Sequence, residues 1–132
     1  MRQLMRLVVT DGTGKQADVP GYRVGGKTGT AEKPGERGYD SSRLISSFIG
    51  FFPMEAPRYA VFIMVDEPKG TKESFGYATG GWVAAPAVGR VIGNMAALLG
   101  IEPDYDTEDL SASLKRYVKV KPEEGKGHLA SY

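Results

Sequence analysis

The chain has 132 residues, a quarter of them charged, and a formal net charge of +1. That length makes one domain, and the charge balance gives no global pull toward nucleic acid or an anionic membrane surface. With no cysteine, disulfides and thiolate metal sites are excluded, and the longest apolar run, 60–65, is far too short to cross a bilayer.

The N-terminus opens like a helix already under way and does not resemble a signal peptide. Leu4, Leu7 and Val8 fall at helical spacing, so 2–9 reads as the last turns of an amphipathic helix. Asp11-Gly12-Thr13-Gly14 stops it, with glycines suited to a left-handed C-terminal position. Residues 17–20 form a short extended connector, and 21–32 read as a strand weakened by glycines, which marks a place where something approaches closely. Pro34, Gly35 and Gly38 make 34–40 a polar loop. Residues 44–52 and 59–65 are two further strands joined by a short connection. Their apolar faces predict the middle of a sheet covered on both sides. A glycine-bearing loop over 69–81 leads to the clearest helix, 82–99, whose Val88, Val91, Ile92, Met95 and Leu98 make one stripe. The end of the chain is an acidic stretch followed by a basic one, read as solvated surface.

These elements make an α+β fold. An antiparallel sheet of about three strands is packed by a long C-terminal helix and an N-terminal helix stub. Two central strands need cover on both faces, yet only one good helix and one stub are present. Leaving several hundred Å² of apolar sheet in water forgoes roughly 10 kcal/mol, comparable to a domain's whole stability. The expectation is therefore a piece of a larger domain, or a homodimer that hides the face. Residues 1–104 form the packed portion and 105–132 a charged, loosely attached tail.

Within Gly25-Gly26-Lys27-Thr28-Gly29-Thr30, one lysine and two hydroxyls stand among three glycines. Such a segment offers charge, hydroxyl donors and open backbone N–H groups to an anion or oxyanion. Gly21 to Thr28 also satisfies the phosphate-loop pattern G-x-x-x-x-G-K-T. A phosphate loop, however, needs a helix starting at the lysine, whose N-terminus holds the phosphates. Gly29, Pro34, Gly35 and Gly38 do not permit one, so nucleotide binding is the weaker alternative. The remaining candidates have bland readings. Ser41, Ser42, Ser46 and Ser47 lack a base, and His128 lacks the companions a metal would need. Asp66 and Glu67 read as a strand-end cap.

The order of pieces resembles the C-terminal part of a penicillin-binding protein transpeptidase domain of the class B, division type. The residues that carry the resemblance are the run Leu7 to Gly14, Val19-Pro20-Gly21-Tyr22-Arg23-Val24 leading into Lys27-Thr28-Gly29-Thr30, Ser47-Phe48-Ile49-Gly50-Phe51-Phe52-Pro53, and Gly80-Gly81-Trp82 through Pro86. The resemblance implies a piece of the β-lactamase/transpeptidase-like fold and a D,D-transpeptidase that cross-links peptidoglycan stem peptides through an acyl-serine and binds β-lactams. It implies that Lys27 organises proton transfer, that Thr28 and Thr30 bind the substrate carboxylate, that the Thr30 N–H donates to the oxyanion, that Gly29 leaves room for the ligand, and that the loop with Tyr77, Gly80 and Gly81 approaches the cleft near the third strand. It implies no cofactor, no metal and no nucleic acid, and a place on the periplasmic face of the inner membrane through an upstream anchor. The family's Ser-x-x-Lys and Ser-x-Asn motifs do not occur in the sequence. They are expected upstream of Met1, on the polypeptide that would also cover the bare sheet face. Alone, the chain should be inactive; a non-catalytic module that binds peptidoglycan or a protein partner is the other alternative.

Overall fold

The computed structural model describes residues 1–36, 38–105 and 108–115. Helix α1 (Arg2–Thr10) is followed by a single 3-10 turn (Lys15–Ala17), strands β1 (Gly25–Gly35), β2 (Gly38–Phe52) and β3 (Tyr59–Asp66), helix α2 (Ala84–Leu98) and a short helix α3 (Ala112–Lys115). The strands form one antiparallel sheet in the order β1-β2-β3. β1 and β3 are therefore its edges among the described residues.

One sheet face carries the core. Phe48 and Phe52 of β2 are fully buried with Val88, Ile92 and Ala96 of α2 and Val9 of α1, and Tyr59, Val61 and Ile63 of β3 pack against them. Among the described residues the opposite face is bare. Along β3 exposure alternates residue by residue, and Phe62 and Met64 are 60% and 59% exposed. The apolar sequence of β3 thus has no cover on one side, as a chain with too few helices for its strands requires. β3 was expected inside the sheet, yet it lies at an edge here, because no further strand is present among the described residues to pair with it.

Three local expectations are corrected. The region 34–40 is not an open loop: β1 and β2 continue as a hairpin to Gly35 and Gly38, with a register shift between Glu32 and Lys33. Pro34 is tolerated because β1 is an edge strand. The 3-10 turn stands between α1 and the extended connector and takes in Ala17, and the α1 C-cap, Asp11, has φ −133°, so no left-handed glycine ends that helix. Gly100, with φ +63°, does take that conformation after α2. Finally, Asp66 and Glu67 do more than cap a strand. Lys33 of β1 reaches Asp66 at 3.0 Å and Glu67 at 2.9 Å, and Arg43 Nε of β2 donates to the same Glu67 oxygen at 2.9 Å. The pairs tie all three strands together where the register shifts.

The Lys33 hydrogen bond, then that of Arg43, holds the Glu67 carboxyl down at about 2. A depressed folded-state value means that the tie contributes fully above the ordinary glutamate range and is lost as pH falls through about 2. A carboxyl-carbon NMR titration of Glu67 should find that midpoint, and Lys33→Met should move it toward the ordinary range.

The tail from 105 onward was expected to be loosely attached. Over 108–115 it is held to α1. Arg6, only 6% exposed, donates from Nε to Asp109 and from Nη1 to Asp18, each at 2.7 Å. Ser111 is fully buried and shares a 3.3 Å contact with the Thr10 hydroxyl. Just upstream, the Asp104 N–H donates to the Gly21 carbonyl at 2.8 Å and its carboxylate faces Arg23 at 3.4 Å. Two acids from the run read as solvated surface therefore face nearly buried arginines. Residues 116–132, with most of the basic run and His128, lie outside the described residues.

Candidate active site

The glycine-rich segment is the first half of β1, an edge strand. Val24, Gly25 and Gly26 are buried at its root, Lys27 is exposed, and Thr28 and Thr30 stand further along. Cross-strand partners share a face, so the register Lys27↔Ile49↔Phe62 puts the lysine on the bare face. Thr28↔Phe48 and Thr30↔Ser46 put both hydroxyls on the helix-covered face. Lysine and threonines therefore meet only along the strand's open edge. Lys27 Nζ curls over that edge to donate to the Thr28 carbonyl at 2.8 Å.

Each threonine hydroxyl has a partner from another element. Thr30 Oγ1 accepts the Gly80 N–H at 3.1 Å, and Thr28 Oγ1 lies 3.0 Å from Thr13 Oγ1. The loop before α2 is pressed under the strand. A side chain at Gly80 would collide with the carbonyl oxygens of Ser47 and Gly29, and one at Gly81 with the Thr13 carbonyl. Only glycine permits that approach. Ser46, completely buried, anchors the same loop by donating to the Ala78 carbonyl. Above it, Trp82 stacks on Tyr77 at 6.2 Å and meets Phe75 edge-on at 5.6 Å. Tyr77, Gly80 and Gly81 thus all belong to the loop that reaches Thr30, although the strands they approach are β1 and β2.

The space beside Gly29 on the bare face is taken by Ser47, whose Oγ would lie 2.5 Å from a Cβ at that position. Three of the four serines considered as nucleophiles have structural employment. Ser42 donates to Asp40 at 2.6 Å and Ser46 holds Ala78, while Ser47 makes a long 3.5 Å contact with the Gly29 carbonyl. Among the described residues no cluster of acidic or imidazole side chains could hold a metal, and no helix is long and apolar enough to cross a membrane. Lys27 and Thr28 lie within a strand that runs on to Gly35, so the helix a phosphate loop requires does not start there.

Thr13 is the site residue the sequence did not announce. Its turn reads as a helix stop, and a separation of fifteen positions from Thr28 hides the contact. The available signal was a hydroxyl placed between Gly12 and Gly14, where small neighbours let a backbone come close.

The family described as the penicillin binding protein transpeptidase domain matches residues 1–93. The chain belongs to that family. It is 48% identical to the probable peptidoglycan D,D-transpeptidase FtsI of Caulobacter vibrioides, over 95% of this chain and 22% of that protein. It is 46% identical to the stage V sporulation protein D of Bacillus subtilis, over 78% of this chain and 15% of that protein. The chain therefore spans about a fifth of the length of these curated relatives. Among solved structures, the transpeptidase domain of Burkholderia pseudomallei penicillin-binding protein 3 superposes with a TM-score of 0.66 at 40% identity, over 81% of this chain and 30% of that one. Penicillin-binding protein 3 of Mycobacterium tuberculosis, complexed with ampicillin, gives 0.70 at 29% identity, over 83% and 25%. The three-stranded sheet with its helices is thus an incomplete piece of the penicillin-binding transpeptidase fold.

Proposed function

We propose that this transpeptidase-family segment forms the receiving wall of a serine D,D-transpeptidase active site, with the attacking serine on polypeptide upstream. The observation that carries the proposal is the edge of β1, where Lys27, Thr28 and Thr30 converge with the Gly80 N–H. Along an antiparallel edge strand, alternate residues turn both backbone polar groups away from the neighbouring strand. The Thr28 carbonyl, reachable by the exposed Lys27 ammonium, belongs to that outward set, and by alternation so does the Thr30 N–H. On this reading Thr28 and Thr30 hold the terminal carboxylate of a stem peptide or β-lactam. The Thr30 N–H stabilises the oxyanion, a contribution worth about 3–4 kcal/mol in the transition state. Lys27 places its charge beside the proton transfers. The serine oxygen would add to the carbonyl carbon between two D-alanines, the C–N bond would break with D-alanine leaving, and an amine of a second stem peptide would displace the serine.

The bare face of Phe62 and Met64 supports a larger domain around this segment. The Burkholderia transpeptidase domain is more than three times as long as the part that this chain matches, so most of such a domain is available to cover the face. This favours the rest of such a domain over a second copy as the natural cover. On this reading the enzyme works where its substrate is, on the periplasmic face of the inner membrane.

Fluorescent penicillin tests the proposal. The 132-residue chain alone should take no covalent label, and the full-length protein should be labelled. Covalent labelling of the isolated chain would refute the missing nucleophile. An unlabelled full-length protein that still binds stem peptide would favour the non-catalytic module.

A further inference from the structure

We infer that Thr13 is a positioning residue of this site, supplying the hydroxyl that turns the Thr28 proton toward the bound carboxylate; the inference rests on the transpeptidase reading above.

Thr13 is held firmly enough to do this. It follows α1 in a turn fixed by the Asp11 N–H on the Leu7 carbonyl and the Gly14 N–H on the Val8 carbonyl, both at 2.9 Å. Gly14 is buried, and a Cβ there would stand 2.8 Å from the Phe48 ring. Gly81 packs against the Thr13 carbonyl and lies under the Thr28 methyl. The turn after α1 and the loop before α2 therefore meet beneath β1, and each presents one group to one β1 hydroxyl.

The chemistry is a matter of counting hydrogens. A hydroxyl has one proton to donate and two lone pairs, whereas a carboxylate only accepts. Thr30 Oγ1 already accepts from the Gly80 N–H, so its proton is left for a ligand. Between Thr13 and Thr28 either oxygen can be the donor. When Thr13 donates, the Thr28 proton is released to point outward, and both β1 threonines become donors for the two carboxylate oxygens. An incoming carboxylate selects that arrangement, and the chain from Thr13 through Thr28 to the anion polarises in one direction. Without Thr13, Thr28 loses its lone-pair partner and the strand holds one oriented donor in place of two.

The test is the full-length protein with Thr13→Val, which keeps shape and removes the hydroxyl, beside Thr13→Ser, which keeps the hydroxyl. Acylation by a penicillin is resolved into binding constant and acylation rate, and repeated with its carboxylate methyl ester. Hydrogen bonds to charged groups are the strong ones, so Thr13→Val should weaken binding of the free acid by about 5–20-fold. The ester should change by less than about twofold and Thr13→Ser should stay near wild type, because neither alters a donor that the acid alone recruits. An unchanged free-acid constant for Thr13→Val would overturn the inference. So would equal losses on acid and ester, or failure of serine to rescue, since a merely structural role gives those results. Wild-type protein that does not acylate at all would instead refute the transpeptidase reading, and this inference with it.

Discussion

Replacing Lys27 by alanine in the full-length protein should lower the acylation rate constant by about 10²–10⁴-fold, the range for losing a positioned proton-transfer group. Folding stability should stay within about 0.5 kcal/mol, as for exposed side chains that fill no core. The two numbers separate because of where Lys27 sits. It is exposed, its neighbours across the sheet are Ile49 and Phe62, and its ammonium gives one hydrogen bond to the Thr28 carbonyl. An ammonium has three protons, so two remain for a serine, a water or an anion arriving at the strand's open edge. A lysine kept for fold stability would be expected to pair as Lys33 does with Asp66 and Glu67. Lys27→Arg should recover only part of the rate, because a planar fork does not reproduce a compact point charge. Stopped-flow acylation with a reporter β-lactam, beside urea unfolding, reads both quantities. A Lys27→Ala protein that acylates within threefold of wild type would remove the lysine from the proposed chemistry.

How far the sequence foretold this arrangement depended on the range of the interaction. The α2 helix, strands β2 and β3 and the shortage of cover follow from hydrophobic spacing, which is local and dense in 44–52, 59–65 and 82–99. The placement of Lys27 on one face and of Thr28 and Thr30 on the other follows from strand alternation alone. What pattern cannot supply is the partner of a polar atom. Thr28 meets Thr13, Thr30 meets Gly80 and Arg6 meets Asp109, contacts 15, 50 and 103 residues apart in the chain. The hairpin over 34–40 was missed for a different reason. Pro34 and its glycines speak against a strand in general, but an edge strand tolerates both, and edge status is a property of the assembled sheet. The acidic run was misjudged because a charged residue looks solvated until the buried arginine it pairs with is known.

That last contact carries the largest expected effect on stability. Arg6→Ala should destabilise the chain by about 2–3 kcal/mol, below the ~3–5 kcal/mol for cutting a fully buried pair, because water still reaches part of both partner acids. The guanidinium is nearly buried and serves three acceptors: Asp18, Asp109 and the Val24 carbonyl, the last at 2.7 Å. Lysine should not rescue it, since one ammonium cannot span positions that a planar fork reaches at once. The loss should be unevenly distributed. Val24 is the residue just before β1, so amide exchange should quicken first at the root of the glycine-rich strand and least in α2. The same contact gives a pH signature. Burial opposes ionisation of Asp109, but its Ser111 hydrogen bonds, then Arg6, outweigh that and hold its carboxyl below the usual aspartate range. Its contribution is therefore present above the ordinary aspartate value and fades as pH falls through the lowered one. Arg6→Ala should flatten that acid limb without abolishing it, because Ser111 still donates to Asp109 from both its hydroxyl and its N–H. Urea unfolding at neutral and acid pH, with hydrogen exchange on the same samples, checks each part. A uniform rise in exchange across β1 and α2 would mean that Arg6 stabilises the whole fold without particular hold on the strand that bears Lys27.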